Sequence, residues 1–325
     1  MKTLTYHAFG EPQDVLAVHD APTPEPAAGQ VRIRTTLSAI HNHDLWTVRG
    51  TYGYRPTLPA IGGTEAVGVI DAVGEGVDAA LIGRRVTTAA GRGTWAEAFL
   101  APAGAVIPLP DAITDEAGAQ LMAMPFSALA LLETLNVQPG DWIIQNAANG
   151  AVGRTLALLG RARGVNVINL VRRQDGVTDL AAQGIEHTFA TDSDHWKDDV
   201  RALVGEASIR AAVDSIGGTA SGDLAQLLGM DGTLVSFGSM KGEAMQISSG
   251  DVIFKHLTVK GFWGSRIIGD MTPEERARLT RELVTLVASG DLPLPVGGTY
   301  ALADIRDAVT ASLTPGKTGK ILLKP

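Results

Sequence analysis

The segment Asn146-Ala147-Ala148-Asn149-Gly150-Ala151-Val152-Gly153 joins an apolar strand-like run, Trp142 to Gln145, to a helical run, Val152 to Arg163. With Ala148 in the first glycine position, it has the G-x-G-x-x-G context of a dinucleotide loop. Glycines there let the backbone amides from Asn149 to Gly153 approach a pyrophosphate, and the helix N-terminus favours its negative charge. The next strand, Val165 to Val171, runs into Arg172-Arg173-Gln174. Sites that take NAD place Asp or Glu at such a strand end, where it holds the ribose 2′-hydroxyl. A carboxylate would repel a 2′-phosphate, whereas guanidinium groups can pair with one through two bonds. The sequence therefore predicts NADPH as cofactor, with Arg172 and Arg173 at its phosphate. The competing readings are a tight strand-to-helix turn that binds nothing, and two arginines that are merely solvated.

Composition bounds the remaining chemistry. The chain has no cysteine, which removes disulfides, Cys-based zinc sites, thiolate nucleophiles and Cys-ligated clusters together. Lys and Arg total 27 against 35 Asp and Glu, a net charge of -8, so no field draws the chain to a polyanion and no nucleic-acid partner is expected. Nowhere is there a run of roughly 18 apolar residues, so no membrane span is expected either. The opening MKTLTYHAFG lacks the apolar stretch of a secretory signal. A soluble cytoplasmic protein acting on a small molecule is the expectation.

Several elements must position these residues. A length of 325 residues exceeds one ordinary core. The first third reads as short strands, Leu4 to Ala8, Val31 to Ser38, Ala66 to Val73, Arg85 to Thr88 and Trp95 to Leu100, parted by Gly, Pro and Asp. They predict a compact, partly open β-barrel, with Trp46 and Trp95 as packing residues. A helical stretch from Ala117 to Leu135, broken at Pro125, opens a new texture. Strands at 142–145, 165–171, 186–190, 211–215 and 232–237 then alternate with helices, which argues for a parallel sheet covered on both faces. One long helix, Pro273 to Ser289, carries Leu279, Leu283, Leu286 and Val287 at helical spacing, with its charges on a solvated face. A β-type tail, Lys320 to Leu323, ends the pattern. The predicted organisation is 1–115, a catalytic β domain; 116–262, a nucleotide-binding domain; and 263–325, a return to the first.

Several strings carry a family likeness. They are His41 to Val77 (HNHDLWTVRGTYGYRPTLPAIGGTEAVGVIDAVGEGV), GTWAEAF from Gly93, NAANGAVG, LVRR from Leu170, SFGSM from Ser236 and FKHLTVKGFWGS from Phe254. Through them the chain resembles the medium-chain dehydrogenase/reductase superfamily, in its zinc-free quinone-reductase-like and mitochondrial-type 2-enoyl thioester reductase branch. The likeness covers nearly the whole chain. It implies an α/β fold: a GroES-like β-barrel domain, a Rossmann doubly wound parallel sheet, and an active cleft between them. It also implies a homodimer whose sheet extends through the strands before Gly261-Phe262-Trp263. By the same resemblance, NADPH contacts fall on Asn149, Gly150, Ala151, Val152, Gly153 and Arg172. They continue at Phe237, Gly238, Ser239, Met240, Phe262, Trp263, Gly264, Ser265 and Lys320. Tyr52, within Gly50-Thr51-Tyr52-Gly53, stands where the thioester reductases have their proposed proton donor. A phenol is protonated at neutral pH and can donate; the other reading is a Tyr that only packs or fixes its loop. Related enoyl reductases carry Asn before a Pro-x-Thr/Ser-Ala segment, where this chain has Met124, so one polar contact is removed.

Zinc-dependent relatives hold their metal with a Cys or His, a His in a G-H-E string, and a third ligand. His41 occupies the first of these positions, but the second reads Gly63-Thr64-Glu65, and the Cys-rich lobe has no counterpart. In an extended segment His41 and His43 would face opposite sides, so no metal site is expected. Without a Lewis acid, unactivated ketones lose their main source of polarisation, which tilts the chemistry toward conjugated alkenes or quinones. The implied activity is NADPH-dependent reduction of activated C=C bonds in an enoyl thioester or enone. Hydride goes to the β-carbon, and the enolate is then protonated. The alternatives are an NADPH:quinone oxidoreductase and a nucleotide-binding protein without turnover.

Overall fold

A computed structural model of the chain describes residues 1–314, 316 and 318–325. The chain crosses between two units, of which one holds residues 1–123 and 281–325 and the other residues 124–280. Among the described residues no helix is long and apolar enough to cross a membrane.

The first unit opens with strands β1 (Lys2–Tyr6), β2 (Ala17–Asp20), β3 (Gln30–Ala39), β4 (Ala60–Ile61), β5 (Ala66–Val73), β6 (Arg85–Thr88), β7 (Ala98–Pro102) and β8 (Ile107–Pro108). The same stretch carries the α-helices α1 (Pro12–Val15), α2 (Asn42–Arg49) and, after β8, α3 (Asp115–Gly118). Strand β3 organises the unit. It pairs antiparallel with β5 along most of its length, and with β7 over its first half. Its alternation turns Val31 and Ile33 inward against Ile70, Val86 and Phe99. Fully burying such a side chain contributes roughly 1.5–3 kcal/mol. A second core gathers Leu4, Tyr6, Ile40, Leu45, Val48 and Trp95. Trp95 is fully buried and donates its indole N–H to the Ala39 carbonyl at 3.0 Å. Its ring lies so close to Gly62 and Gly63 that an added Cβ would sit 2.3 and 2.4 Å from it. Only glycine fits beneath that ring, and this shapes the turn leading to Glu65.

The second unit contains α4 (Met124–Leu135), β9 (Trp142–Gln145), α5 (Ala151–Ala162), β10 (Asn166–Val171), α6 (Gln174–Ala181), β11 (Thr188–Ala190), α7 (Trp196–Val204), β12 (Ile209–Asp214), α8 (Thr219–Leu227), β13 (Leu228–Ser236), α9 (Ser249–Phe254), β14 (Thr258–Gly261) and α10 (Gly264–Asp270). Every strand pair in it is parallel, in the order β11-β10-β9-β12-β13-β14. Numbered within the unit this is 3-2-1-4-5-6, the doubly wound Rossmann order, whose direction of winding reverses at β9. The near-continuous apolar strands, with Ile144, Ile168, Ala212 and Leu234 buried, are those of a sheet covered on both faces. Helix α11 (Pro273–Ser289) leads the chain back to the first unit, where β15 (Val296–Ala301), α12 (Ile305–Leu313) and β16 (Lys320–Lys324) follow. There β16 continues the β3 ladder at Ser38 and Ala39.

The expected fold class is the observed one, and several local expectations are corrected. Pro125 does not break a helix begun at Ala117. The chain turns after Gly118, and Pro125 lies in the first turn of α4, where a missing N–H costs nothing. The strand expected from Trp95 begins at Ala98. Trp46 is 36% exposed rather than packed. The segment after His41 is helical rather than extended.

Candidate functional site

In the second unit, the loop after β9 is braced from below. Asp214, at the end of β12, is fully buried. Its Oδ1 accepts from Asn146 Nδ2 at 2.7 Å and from the amides of Ile216 and Gly217 at 2.9 and 3.1 Å; its Oδ2 accepts from Ser221 Oγ at 2.5 Å. Asn146 Oδ1 in turn accepts from the Ser215 amide at 2.7 Å. The carboxyl ends of β9 and β12 are thereby tied together beside the point where the winding reverses. Ligands of doubly wound sheets bind outside those ends. Gln145 Nε2 donates to the Gly153 carbonyl at 2.8 Å and to Asn169 Oδ1 at 2.7 Å, fixing the first turn of α5 to the sheet.

Above this brace lie the predicted loop residues. Asn149, Gly150 and Ala151 are exposed, Val152 half-buried and Gly153 buried. Gly150 caps α5 without any side-chain hydrogen bond, which leaves the helix's leading amides to an incoming anion. A Cβ on Gly153 would lie 2.7 Å from the Ala148 backbone, so the close approach of helix to loop requires glycine. At the end of β10, Arg172 and Arg173 are both exposed, but they differ. Arg173 pairs with Asp175 at 3.3 Å, whereas Arg172 has no ion-pair partner among the described residues. The donor set therefore fits a dinucleotide with a phosphorylated ribose: capless amides for the pyrophosphate, and an uncommitted guanidinium at the strand end.

The later predicted segments belong to the same unit. Phe237 and Phe262 meet with ring centroids 5.6 Å apart, and the Gly238 amide donates to the Asp214 carbonyl. Phe262 is buried, while Trp263 beside it is 51% exposed and Met240 66%. Ser239 lies in the irregular segment after β13, and Trp263, Gly264 and Ser265 open α10. A Cβ on Gly264 would come within 3.3 Å of Ser127 Oγ, which joins α10 to α4.

The first unit holds Tyr52 and Lys320, together with a polar cluster that the sequence reading did not assemble. His41 stands at the N-cap of α2, where its amide donates to Asp44 Oδ2 at 3.0 Å and its carbonyl accepts from the Asp44 amide at 3.1 Å. Because α2 is a helix, His41 and His43 do not diverge; their rings stack 5.1 Å apart at 11°. His41 and Glu65 are both fully buried and share a 2.7 Å contact between Nε2 and Oε2. Glu65 Oε1 accepts from the amides of Met122 and Ala123 at 2.5 and 2.9 Å, the last two residues before the chain leaves the unit. Burial pushes the Glu65 carboxyl up to about 8, against the opposing pull of those amides. Burial also holds His41 well below the usual imidazole range, with the charge of Lys320 adding to the effect. Both directions favour a neutral hydrogen bond over an ion pair. Among the described residues His41 Nδ1 has no hydrogen-bond partner. Among the described residues no group of three or more His, Asp or Glu is gathered to hold a metal ion.

Tyr52 is half-buried, and its ring lies 5.8 Å from that of His43. Tyr54 turns to Arg92, whose Nη1 donates to its hydroxyl at 2.6 Å. Lys320 opens β16, its amide bonded to the Pro295 carbonyl at 2.9 Å and its ammonium within electrostatic reach of His41 and Glu65. The signal for the buried pair was present in Gly63-Thr64-Glu65, but no spacing rule joins a Glu to a His 24 positions earlier.

Comparison with known proteins agrees with this geometry. Residues 27–111 match the alcohol dehydrogenase GroES-like domain and residues 151–282 the zinc-binding dehydrogenase model. The human mitochondrial enoyl-[acyl-carrier-protein] reductase is 30% identical over 329 aligned residues, covering 99% of this chain and 88% of the human protein. The chain belongs to the medium-chain dehydrogenase/reductase superfamily. Within it, the chain falls in the branch of quinone oxidoreductases and enoyl thioester reductases. The crystal structure of a putative NADPH:quinone reductase from Bacillus thuringiensis superposes with a TM-score of 0.92 at 31% identity, covering 100% of this chain and 98% of that one. The Escherichia coli quinone oxidoreductase complexed with NADPH gives 0.89 at 26% identity, with both chains covered completely.

Proposed function

We propose that this protein is an NADPH-dependent reductase of activated C=C bonds, acting on an enoyl thioester or a smaller enone. The observation that carries the reading is the pairing of a capless, glycine-bearing helix start with an uncommitted arginine at the end of the next strand. The whole-chain likeness to enoyl reductases and to an NADPH-complexed oxidoreductase supports it.

NADPH, when bound, supplies hydride. The second unit orients that cofactor: the amides of Asn149 and of Ala151 to Gly153 take the pyrophosphate, Gly150 giving its amide to the Ala147 carbonyl and leaving room by its missing side chain, and Arg172 takes the 2′-phosphate, with Arg173 beside it. Phe237 to Met240 and Phe262 to Ser265 line its further course. In the first unit Lys320 adds a positive charge, and Tyr52 Oη carries the proton that the α-carbon of the substrate needs once negative charge has moved onto its carbonyl. The roles follow the division of the chain, with the expected bounds 1–115, 116–262 and 263–325 shifted to its two units: residues 1–123 and 281–325 are catalytic and 124–280 nucleotide-binding. A homodimer joined through β14 completes the proposal. That strand is the outer one of its sheet, all four of its residues are exposed, and Val259 on it and Phe254 before it are 42% and 79% exposed.

Quinone reduction is the second reading, favoured by the high structural similarity to the Bacillus protein. Following NADPH absorbance with crotonyl-CoA, 2-cyclohexenone and 1,4-benzoquinone in parallel separates the two. Turnover of either alkene supports the first reading; turnover of the quinone alone supports the second and overturns the first.

A further inference from the structure

Tyr52 lies in a stretch, residues 50–59, that has neither helix nor strand. A phenol that must present its O–H to one carbon needs its ring held, because small misplacements are costly in a reaction that depends on alignment. The backbone there offers no ladder, so the hold must come from side chains.

His43 is placed to supply it. Its ring meets both that of His41, stacked at 5.1 Å, and that of Tyr52, tilted by 33° at 5.8 Å. It stands on the first turn of α2, and its Nε2 meets Thr64 Oγ1 at 2.9 Å. Thr64 has a single hydroxyl hydrogen and donates it to Asp44 Oδ1 at 2.8 Å, since a carboxylate only accepts. The Thr64 oxygen must therefore accept from His43, which fixes the imidazole with its proton on Nε2 and settles the plane of the ring. Asp44 is itself locked, 3% exposed, with Oδ2 taken by the His41 amide. A chain of single-valued hydrogen bonds thus runs from the buried carboxylate through Thr64 to His43, and the oriented ring of His43 meets Tyr52.

We propose that His43 is a positioning residue for Tyr52, with its ring fixed by Thr64 and Asp44; the proposal rests on the reading of Tyr52 as proton donor. Replacing His43→Ala is expected to lower kcat with crotonyl-CoA about tenfold while leaving KM for NADPH unchanged. Thr64→Val, which can neither accept nor donate, lowers kcat in the same direction, and Thr64→Ser restores it. In a Tyr52→Phe background the loss from His43→Ala disappears, because nothing remains to be aimed. A full loss persisting in that background would overturn the proposal. A second measurement stands apart from turnover. In protein labelled with 3-fluorotyrosine, the ¹⁹F resonance of Tyr52 is expected to move in both His43→Ala and Thr64→Val, with those of Tyr6, Tyr54 and Tyr300 in place. An unmoved Tyr52 resonance overturns the positioning role whatever the enzyme reduces. A moved resonance in an enzyme inactive toward every alkene keeps that role and sinks the proposed reaction alone.

Discussion

Two residues carry separable consequences. Arg172 follows β10 and has no carboxylate partner among the described residues, so its guanidinium is available to a 2′-phosphate. A charged hydrogen-bonded contact of this kind is worth roughly tenfold to a hundredfold in affinity. Arg172→Ala is therefore expected to raise the Kd of NADPH by about that factor and to leave NADH unchanged; isothermal titration with both nucleotides checks it, and equal weakening would refute the role. Arg173, already paired with Asp175, is expected to matter less. Glu65 makes a different claim. Its carboxyl is pushed up to about 8 by burial, so the folded protein keeps a proton that the unfolded chain releases above its ordinary value of 4.5. Stability from this group is full below about 4.5 and is lost as pH rises through about 8. Glu65→Gln preserves an acceptor for the Met122 and Ala123 amides and a donor toward His41, mimicking the protonated acid. Between pH 5 and 8 the wild-type Tm should fall relative to that of the Gln variant, with the gap widening toward pH 8. Parallel curves would show that Glu65 is not held protonated.

Among the elements, helix α5 and its loop form the part most demanding of glycine. A methyl group on Gly153 would meet the Ala148 backbone at 2.7 Å, and backbone cannot step aside as a flexible side chain can. Gly153→Ala is expected to destabilise the protein by about 1–3 kcal/mol and to weaken NADPH binding, read by urea denaturation and by titration. This loop was legible in the sequence because strand, glycines and helix are contiguous, and so was the alternation that gives the parallel sheet. The brace beneath was not. Asp214 and Asn146 meet across 68 positions, and a lone Asp at the end of an apolar strand looks like any solvated strand end. Helix α2 was also missed. His41-Asn42-His43-Asp44 starts a helix on a histidine whose amide is taken by Asp44, outside the usual Ser or Thr pattern, and the error turned two stacked imidazoles into two opposed ones. Pro125 was misread for a related reason, since a proline breaks a helix or begins one according to position alone.

For the whole molecule, two statements need testing: that it assembles and that it moves hydride. The exposed outer strand β14 predicts a dimer, so Val259→Lys, which sets a like charge against itself across a twofold strand pair, should convert dimer to monomer in sedimentation analysis. A monomeric wild-type protein would contradict this. The central claim is hydride transfer from NADPH to the β-carbon of an activated alkene, with a separate proton delivered to the α-carbon. The hydride can be traced in the product. With 2-cyclohexenone and NADPH carrying deuterium at the transferable C4 position, in ordinary water, the account predicts cyclohexanone labelled at the former β-carbon and not at the α-carbon. Unlabelled product, label at the α-carbon, or no product from either 2-cyclohexenone or crotonyl-CoA while NADPH persists would contradict it.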